Sequence, residues 1–239
     1  MNSKTELISS IRLFRTSPHA CSYKTDQIAA TVFVDPELEI DQGLNSKLSE
    51  LGYRRSGAHL YRPDCDNCNA CVSCRLPVQS FEQQRRHKRI WNKNKDLHVK
   101  EEVTLEDKNS FELYEKYINT RHRDGDMYPA SIEQFEAFIC SATSSTRFLS
   151  FFSNDSLVAV SVTDQLSQGL SAVYTFFDPS LNSRSLGSYV ILWQIEEARR
   201  LKLPYVYLGY WIKDCKKMQY KSSFRPIELL IDGDWLLLR

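Results

Sequence analysis

No stretch of this chain is apolar for long enough to cross a bilayer, and the segment from Met1 to Thr16 holds no continuous hydrophobic core of a secretory leader. No membrane association is expected, and the expected location is the cytoplasm. Charge of one sign is also missing: 31 Lys and Arg against 30 Asp and Glu leave +1, so there is no global attraction to nucleic acid and local patches matter more. With only eight glycines and eight prolines in 239 residues, no low-complexity tract or internal repeat is present. What the chain does have is 42% hydrophobic and 12% aromatic residues. That is ample for the cores of two modest domains or one large one.

Seven cysteines are present, and Cys65, Cys68, Cys71 and Cys74 recur at three-residue spacing. An odd total with four crowded together fits metal ligation in a reducing compartment better than a secreted disulfide framework. In the bacterial ferredoxin run, the first three cysteines hold one cluster and its remaining ligand comes from elsewhere in the chain. Four tetrahedral ligands drawn from one short segment would strain the loop. Cys21, in the polar stretch Pro18 to Thr25, relieves that strain. The expected ligands are therefore Cys21, Cys65, Cys68 and Cys71, with Cys74 spare or alternative, and the group is a structural zinc or an iron–sulfur cluster. Cys140 ends an apolar helical pattern and Cys215 follows an apolar strand-like run, so both are expected as structural or free thiols.

Three segments follow from the patterning. Residues 1–80 read as a small Cys-rich N-terminal domain of short strands and turns, with Thr31 to Val34 a strand and Gly43, Gly52 and Gly57 as punctuation. Residues 81–105 form a basic connector carrying Arg85, Arg86, Lys88, Arg89, Lys93, Lys95 and Lys100. A solvated helix face is the plain reading of these cations. The sharper one is RNA contact, with Arg85, Arg86, Lys88 and Arg89 on phosphates and His87 or Trp91 stacked on unpaired bases. Residues 106–239 alternate helical and strand patterns. Helices are expected around Phe111 to Ile118 and after the Ser131 and Gln134 capping signature. Strands are expected over 148–152, 157–162 and 170–177, then a helix over 184–201, a strand over 205–212 and a closing hairpin turning at Asp232 and Gly233.

That order predicts an α+β protein, and it resembles the GNAT acyltransferase fold. In that fold the turn after the fourth strand carries an R/Q-x-x-G-x-G/A pattern that cradles the donor's pyrophosphate. Arg184 and Gly187 match it, whereas Tyr189 stands at the last small-residue position. A coenzyme A-dependent acetyltransferase is accordingly one rival reading. A metal- or redox-sensing RNA-binding protein without catalytic activity is another.

The wider resemblance is to the bacterial aspartate/glutamate leucyltransferases, a branch of the arginyl-tRNA–protein transferase family. It is carried by Cys21, Ser22 and Tyr23, by Tyr61 to Cys71 with Arg75 and Pro77, and by Arg121, His122, Asp124, Gly125, Asp126 and Met127. It continues through Tyr174 to Pro179, Ser185 to Gly187, Leu208 to Lys213, Met218, Tyr220, Lys221 and Phe224 to Pro226. The resemblance implies that leucine moves from leucyl-tRNA to the N-terminal amine of proteins beginning with Asp or Glu, marking them for degradation. Such aminolysis of an activated ester requires alignment, proton removal and oxyanion stabilisation, and no cofactor for the chemistry. Asp178 is a candidate proton acceptor. Tyr174, Tyr210 and Trp211 are expected to shape the leucyl pocket, with Tyr174 nearest the chemistry. Arg75, Lys213 and Arg225 are candidate cations for the acceptor's carboxylate.

Overall fold

The computed structural model describes residues 11–239, so the first part of the Met1–Thr16 segment lies outside the described residues. Four short strands, β1 (Leu13–Arg15), β2 (His19–Ala20), β3 (Ile28–Ala29) and β4 (Thr31–Val34), precede helix α1 (Gln42–Glu50) and strands β5 (Arg54–Ser56), β6 (His59–Pro63) and β7 (Val72–Pro77). The expectation of turns around Gly43 fails for a local reason. Asp41 caps α1, its carboxylate accepting from the Leu44 amide at 2.7 Å, and Gly43 merely occupies the first turn. Leu48 of α1 then packs with Val34, Tyr53 and Leu60 as a small core under a four-stranded sheet ordered β1-β4-β6-β5.

The basic stretch folds as helix α2 (Arg85–Lys93) and strand β8 (Leu97–Glu102). Beyond it lie α3 (Lys108–Arg121), capped by Asp107, and α4 (Ile132–Phe135), capped by Ser131 and extended by a π-helical turn over Glu136–Cys140. Strands β9 (Thr146–Ser153), β10 (Ser156–Leu166) and β11 (Gly169–Phe177) form a meander, followed by helix α5 (Leu186–Arg200), strand β12 (Tyr205–Trp211) and the hairpin of β13 (Ile227–Ile231) and β14 (Asp234–Leu238). These match the expected elements with shifted ends.

Eight strands form the main sheet in the order β14-β13-β7-β12-β11-β10-β9-β8. Strand β7 therefore lies inside this sheet, between β12 and β13, and the boundary expected at residue 80 falls just after it. Adjacent residues of β10 point to opposite faces, as pleating requires. Ala159 joins Val190, Leu192 and Ile195 of α5 in one core, whereas Val160 and Val162 join Tyr114 and Ile118 of α3 in the other. None of the helices among the described residues is long and apolar enough to cross a membrane.

One buried ion pair ties the two sheets together. Arg55 of β5 donates through Nε and Nη2 to the Asp164 carboxylate of β10 at 2.7 and 2.8 Å, and both side chains are 1% exposed. Asp164 also accepts from Asn45 at 3.0 Å and Thr146 at 2.9 Å, while Arg55 Nη1 donates to the Gly57 and Ser141 carbonyls. Such saturation offsets the desolvation of both charges, and removing one partner leaves the other uncompensated. Asp164→Ala is expected to lower unfolding free energy by about 3–5 kcal/mol in urea titration; a loss of under about 1 kcal/mol would contradict this account of the junction.

Candidate active site

The only parallel pair in the main sheet among the described residues, β11 with β12, is bonded over just three positions, Gly169–Ser171 against Tyr205–Tyr207. Beyond Ser171 and Tyr207 the strands part. Each carries a register shift at the point of divergence, β11 opposite Val162/Thr163 and β12 between Tyr207 and Gly209. Bulges of this kind bend a strand and re-aim its side chains. Pairing between the two strands ends there, leaving a cleft between strands with Tyr174 on its β11 side and Gly209 and Tyr210 on its β12 side.

Aromatic side chains dominate the β11 wall. Tyr117 of α3 packs against Phe177 and His122, each at 4.9 Å between ring centroids, and the Tyr174 hydroxyl meets Met127 Sδ at 3.5 Å. Burial pushes the Tyr174 phenol far above its ordinary range, with the Tyr117 and Tyr114 phenols adding to the effect. It therefore stays protonated, which makes it a hydrogen-bonding group or a wall and not a base. Tyr220, in the 3-10 segment Lys216–Ser223 after β12, lies within electrostatic reach of Tyr117 and Cys74. Tyr117 and Tyr220 were not among the expected site residues. Tyr220 stands in the Met218–Lys221 motif, which is the signal that points to it, whereas Tyr117 looks like one more helical core position.

The expected cations and acids resolve differently. Asp178 is not free to act as a base: it pairs with Lys116 at 2.7 Å and caps the following turn by accepting from Ser180 N and Oγ at 2.8 and 2.6 Å. Burial opposes ionisation, yet these bonds hold its carboxyl below the usual range. Arg75 is likewise unavailable for a substrate carboxylate. Its side chain, 6% exposed, pairs with Glu50 at 2.8 Å and Glu228 at 2.6 Å, and its guanidinium lies 3.5 Å from the centre of the Tyr205 ring. Tyr210 and Trp211 were expected to line one pocket, but Tyr210 donates its hydroxyl to the Gly52 and Tyr61 carbonyls while Trp211 packs in the α5 core. Adjacent strand residues cannot share a face. Lys213 is exposed beyond β12, and Arg225 is half-buried, donating to the Ser222 carbonyl at 3.0 Å.

On α2 the basic row divides by face. Arg85, Arg86, Lys88 and Arg89 are all exposed, so they form one cationic surface. His87 and Trp91 do not join it. His87 is 1% exposed, stacks on Phe224 at 5.0 Å and accepts the Gln84 amide as part of a capping box, and Trp91 packs on Tyr189. Neither is placed to stack on a base. A similar fate meets the Arg184 and Gly187 pattern. Arg184 bonds Asn94, Lys93, Asp96 and Ser153, and a Cβ at Gly187 would press on the Phe177 ring at 3.0 Å. Tyr189 points into the core at 4% exposure and does not crowd the turn. Both residues are explained by packing.

Around the Cys loop, burial pushes the Cys71 thiol up to about 11, and Cys21, Cys65 and Cys68 add to this as electrostatic neighbours. The four are half-buried thiols, and among the described residues no three potential ligands converge closely enough to hold an ion. In number and type they fit a thiolate-binding metal. Cys74 points elsewhere, its Sγ reaching the Gly209 carbonyl at 3.3 Å. A separate groove of about 460 Å³, lined by His59, Glu106, Glu136 and Cys140 among others, shares no residue with the cleft.

The architecture as a whole is that of a mixed α/β protein, similar in fold to FemX: that crystal structure superposes with a TM-score of 0.52 at 8% identity, over 95% of this chain and 87% of that one. Sequence comparison is far more specific. The chain is 53% identical to an aspartate/glutamate leucyltransferase of Alcanivorax borkumensis over 95% of its length and 94% of the relative's, and 47% identical to one of Hahella chejuensis over 94% and 96%. Models of the arginine-tRNA-protein transferase N terminus and C terminus match residues 19–89 and 109–231. The chain belongs to the arginine-tRNA-protein transferase family.

The buried His87 makes a pH prediction. Burial, with the Arg86 charge adding to it, lowers the His87 pKa, so the unfolded chain binds a proton more readily than the folded one. Its contribution is present above the ordinary histidine pKa of about 6.5 and is lost as pH falls through that value. His87→Gln, which keeps an acceptor for the cap, should lose less Tm than the parent between about pH 7.5 and 5.5. Equal losses would refute this reading.

Proposed function

We propose that the chain is an aminoacyl-tRNA–protein transferase that moves leucine from leucyl-tRNA to the N-terminal amine of proteins beginning with Asp or Glu. The observation that carries this reading is full-length similarity to aspartate/glutamate leucyltransferases, which spans both segments that build the β11–β12 cleft. In the reaction the neutral amine attacks the leucyl ester carbonyl, a C–N bond forms, the ester C–O bond breaks, and the ribose hydroxyl leaves with a proton. An α-amine has a pKa of roughly 7.7–8.0, so a sizeable minority of the acceptor is already neutral and reactive near pH 7. The cleft must align the two substrates and stabilise the oxyanion.

Within this scheme the aromatic wall of Tyr117, Tyr174 and Phe177 receives the leucyl side chain, and the protonated Tyr174 hydroxyl is a donor for developing negative charge. The exposed cations of α2 hold the tRNA end through its phosphates. Cys21, Cys65, Cys68 and Cys71 hold a zinc ion or an iron–sulfur cluster whose contribution is to brace the loop leading into β7. The fold reads as a GNAT-like transferase unit combined with a Cys-bearing N-terminal part.

Purified protein should transfer labelled leucine from leucyl-tRNA to Asp- and Glu-starting peptides but not to Lys-starting ones; failure with every acceptor would remove the proposal. Replacing Arg85, Arg86, Lys88 and Arg89 with Ala should weaken leucyl-tRNA binding and reduce the slope of log affinity against log salt by up to about 3. An unchanged slope would place the tRNA elsewhere. Anaerobically purified protein should contain zinc or iron, and Cys71→Ser should lose it together with several degrees of Tm. A metal-free wild-type chain of equal Tm would exclude the Cys site.

A further inference from the structure

Among the described residues, two buried cations beside the cleft have no carboxylate partner. Arg54 is 5% exposed and Lys221 is 7% exposed. Arg54 Nη2 donates to the Cys74 carbonyl at 3.3 Å and the guanidinium lies 5.1 Å from the Tyr207 ring centre, but among the described residues its Nε and Nη1 have no hydrogen-bond partner. Lys221 Nζ donates to the Tyr210 carbonyl at 2.5 Å. The contrast with their neighbours is informative. Arg55 and Arg75, equally buried, are each matched by carboxylates, while neither Arg54 nor Lys221 forms an ion pair among the described residues.

Both cations are anchored at one place in the sheet. Cys74 of β7 lies opposite Gly209 of β12, and Tyr210 follows Gly209. Gly209 adopts φ +81°, and a Cβ built there would meet only the Lys221 amine, at 3.7 Å, so the amine lies directly beside this point of β12. Burial lowers the Lys221 pKa, opposed by Cys74 and reinforced by the Arg54 charge. A buried charge is normally paired, because leaving it alone is among the most destabilising arrangements a fold can contain. Two of them at adjacent rungs of a sheet make a strong anion seat.

We propose that Arg54 and Lys221 form the pocket that binds the side-chain carboxylate of the acceptor's first residue. The assignment rests on the leucyl-transfer reading above. A single carboxylate suits a buried pair of cations beside the Tyr207 ring, with free donors on two guanidinium nitrogens. The serial phosphates of a tRNA end match the open cationic row on α2 better. In this arrangement an Asp or Glu side chain supplies the missing counter-charge, whereas Asn or Gln leaves both cations unmatched.

The test compares wild type with Arg54→Met and Lys221→Met, using leucyl-tRNA and peptides that start with Asp or Asn. Each substitution should cut kcat/KM for the Asp peptide about a hundredfold while changing that for the Asn peptide little, and leucyl-tRNA affinity should hold. Arg54→Met should also keep or raise Tm, since it removes an unmatched buried charge; a structural arginine would instead lower it. An Asp-Ala dipeptide should raise the Tm of wild type but not of Arg54→Met, and Asn-Ala should raise neither. Retained Asp over Asn preference in both variants, or lost leucyl-tRNA affinity with that preference intact, would overturn the proposal. The dipeptide shift needs no transfer, so its presence in a protein that never moves leucine would sink the transferase reading and leave the anion pocket standing.

Discussion

The structure depends on one strand placed out of sequence order. Val72–Pro77, which ends the Cys-bearing segment, pairs with Tyr205–Trp211 on one side and with Ile227–Ile231 on the other. A strand inside a sheet has its backbone donors and acceptors taken up on both edges, so removing it exposes two neighbours at once. Here one of those neighbours is a wall of the cleft. Arg75, midway along the inserted strand, adds a charged staple between Glu50 of α1 and Glu228 of β13. The halves matched separately by the two family models are thus joined by a shared sheet as well as by a covalent chain.

From this insertion the geometry of the site follows. Strand β12 is held by β7 along its outer edge and by β11 over only three positions, so the inner edge is free to diverge where the bulges begin. Divergence opens space between strands without a loop, leaving walls as rigid as the sheet itself. Rigid walls favour a reaction limited by alignment. The Cys loop runs directly into the inserted strand, and Cys71 lies near the Tyr210 wall, so a metal held there would brace both β7 and that wall.

Much of this was legible in the sequence. Period and turn chemistry gave the order of elements after residue 106, and the Ser131 cap and the Asp232–Gly233 turn fall where their residue types require. Helix α1 was not legible, because its glycine suggested a turn and the single cap at Asp41 outweighed it. The site was harder to read for a consistent reason. Arg75, Asp178 and His87 look like reactive groups in isolation, but each finds partners that no local pattern announces: Glu228, Lys116 and Phe224 respectively. Conversely, Arg54 looks like the twin of Arg55, and only the folded chain shows that one of the two is matched and the other is not.

Native-state hydrogen exchange tests the shared sheet most directly. If β7 is integral to the main sheet, the bonded amides of Val72–Leu76 and of Val206–Tyr210 should open together, at the free energy of global unfolding. Opening of the Val72–Leu76 amides several kcal/mol below those of β12 would contradict the account, since it would mean that the cleft wall persists without the strand said to hold it.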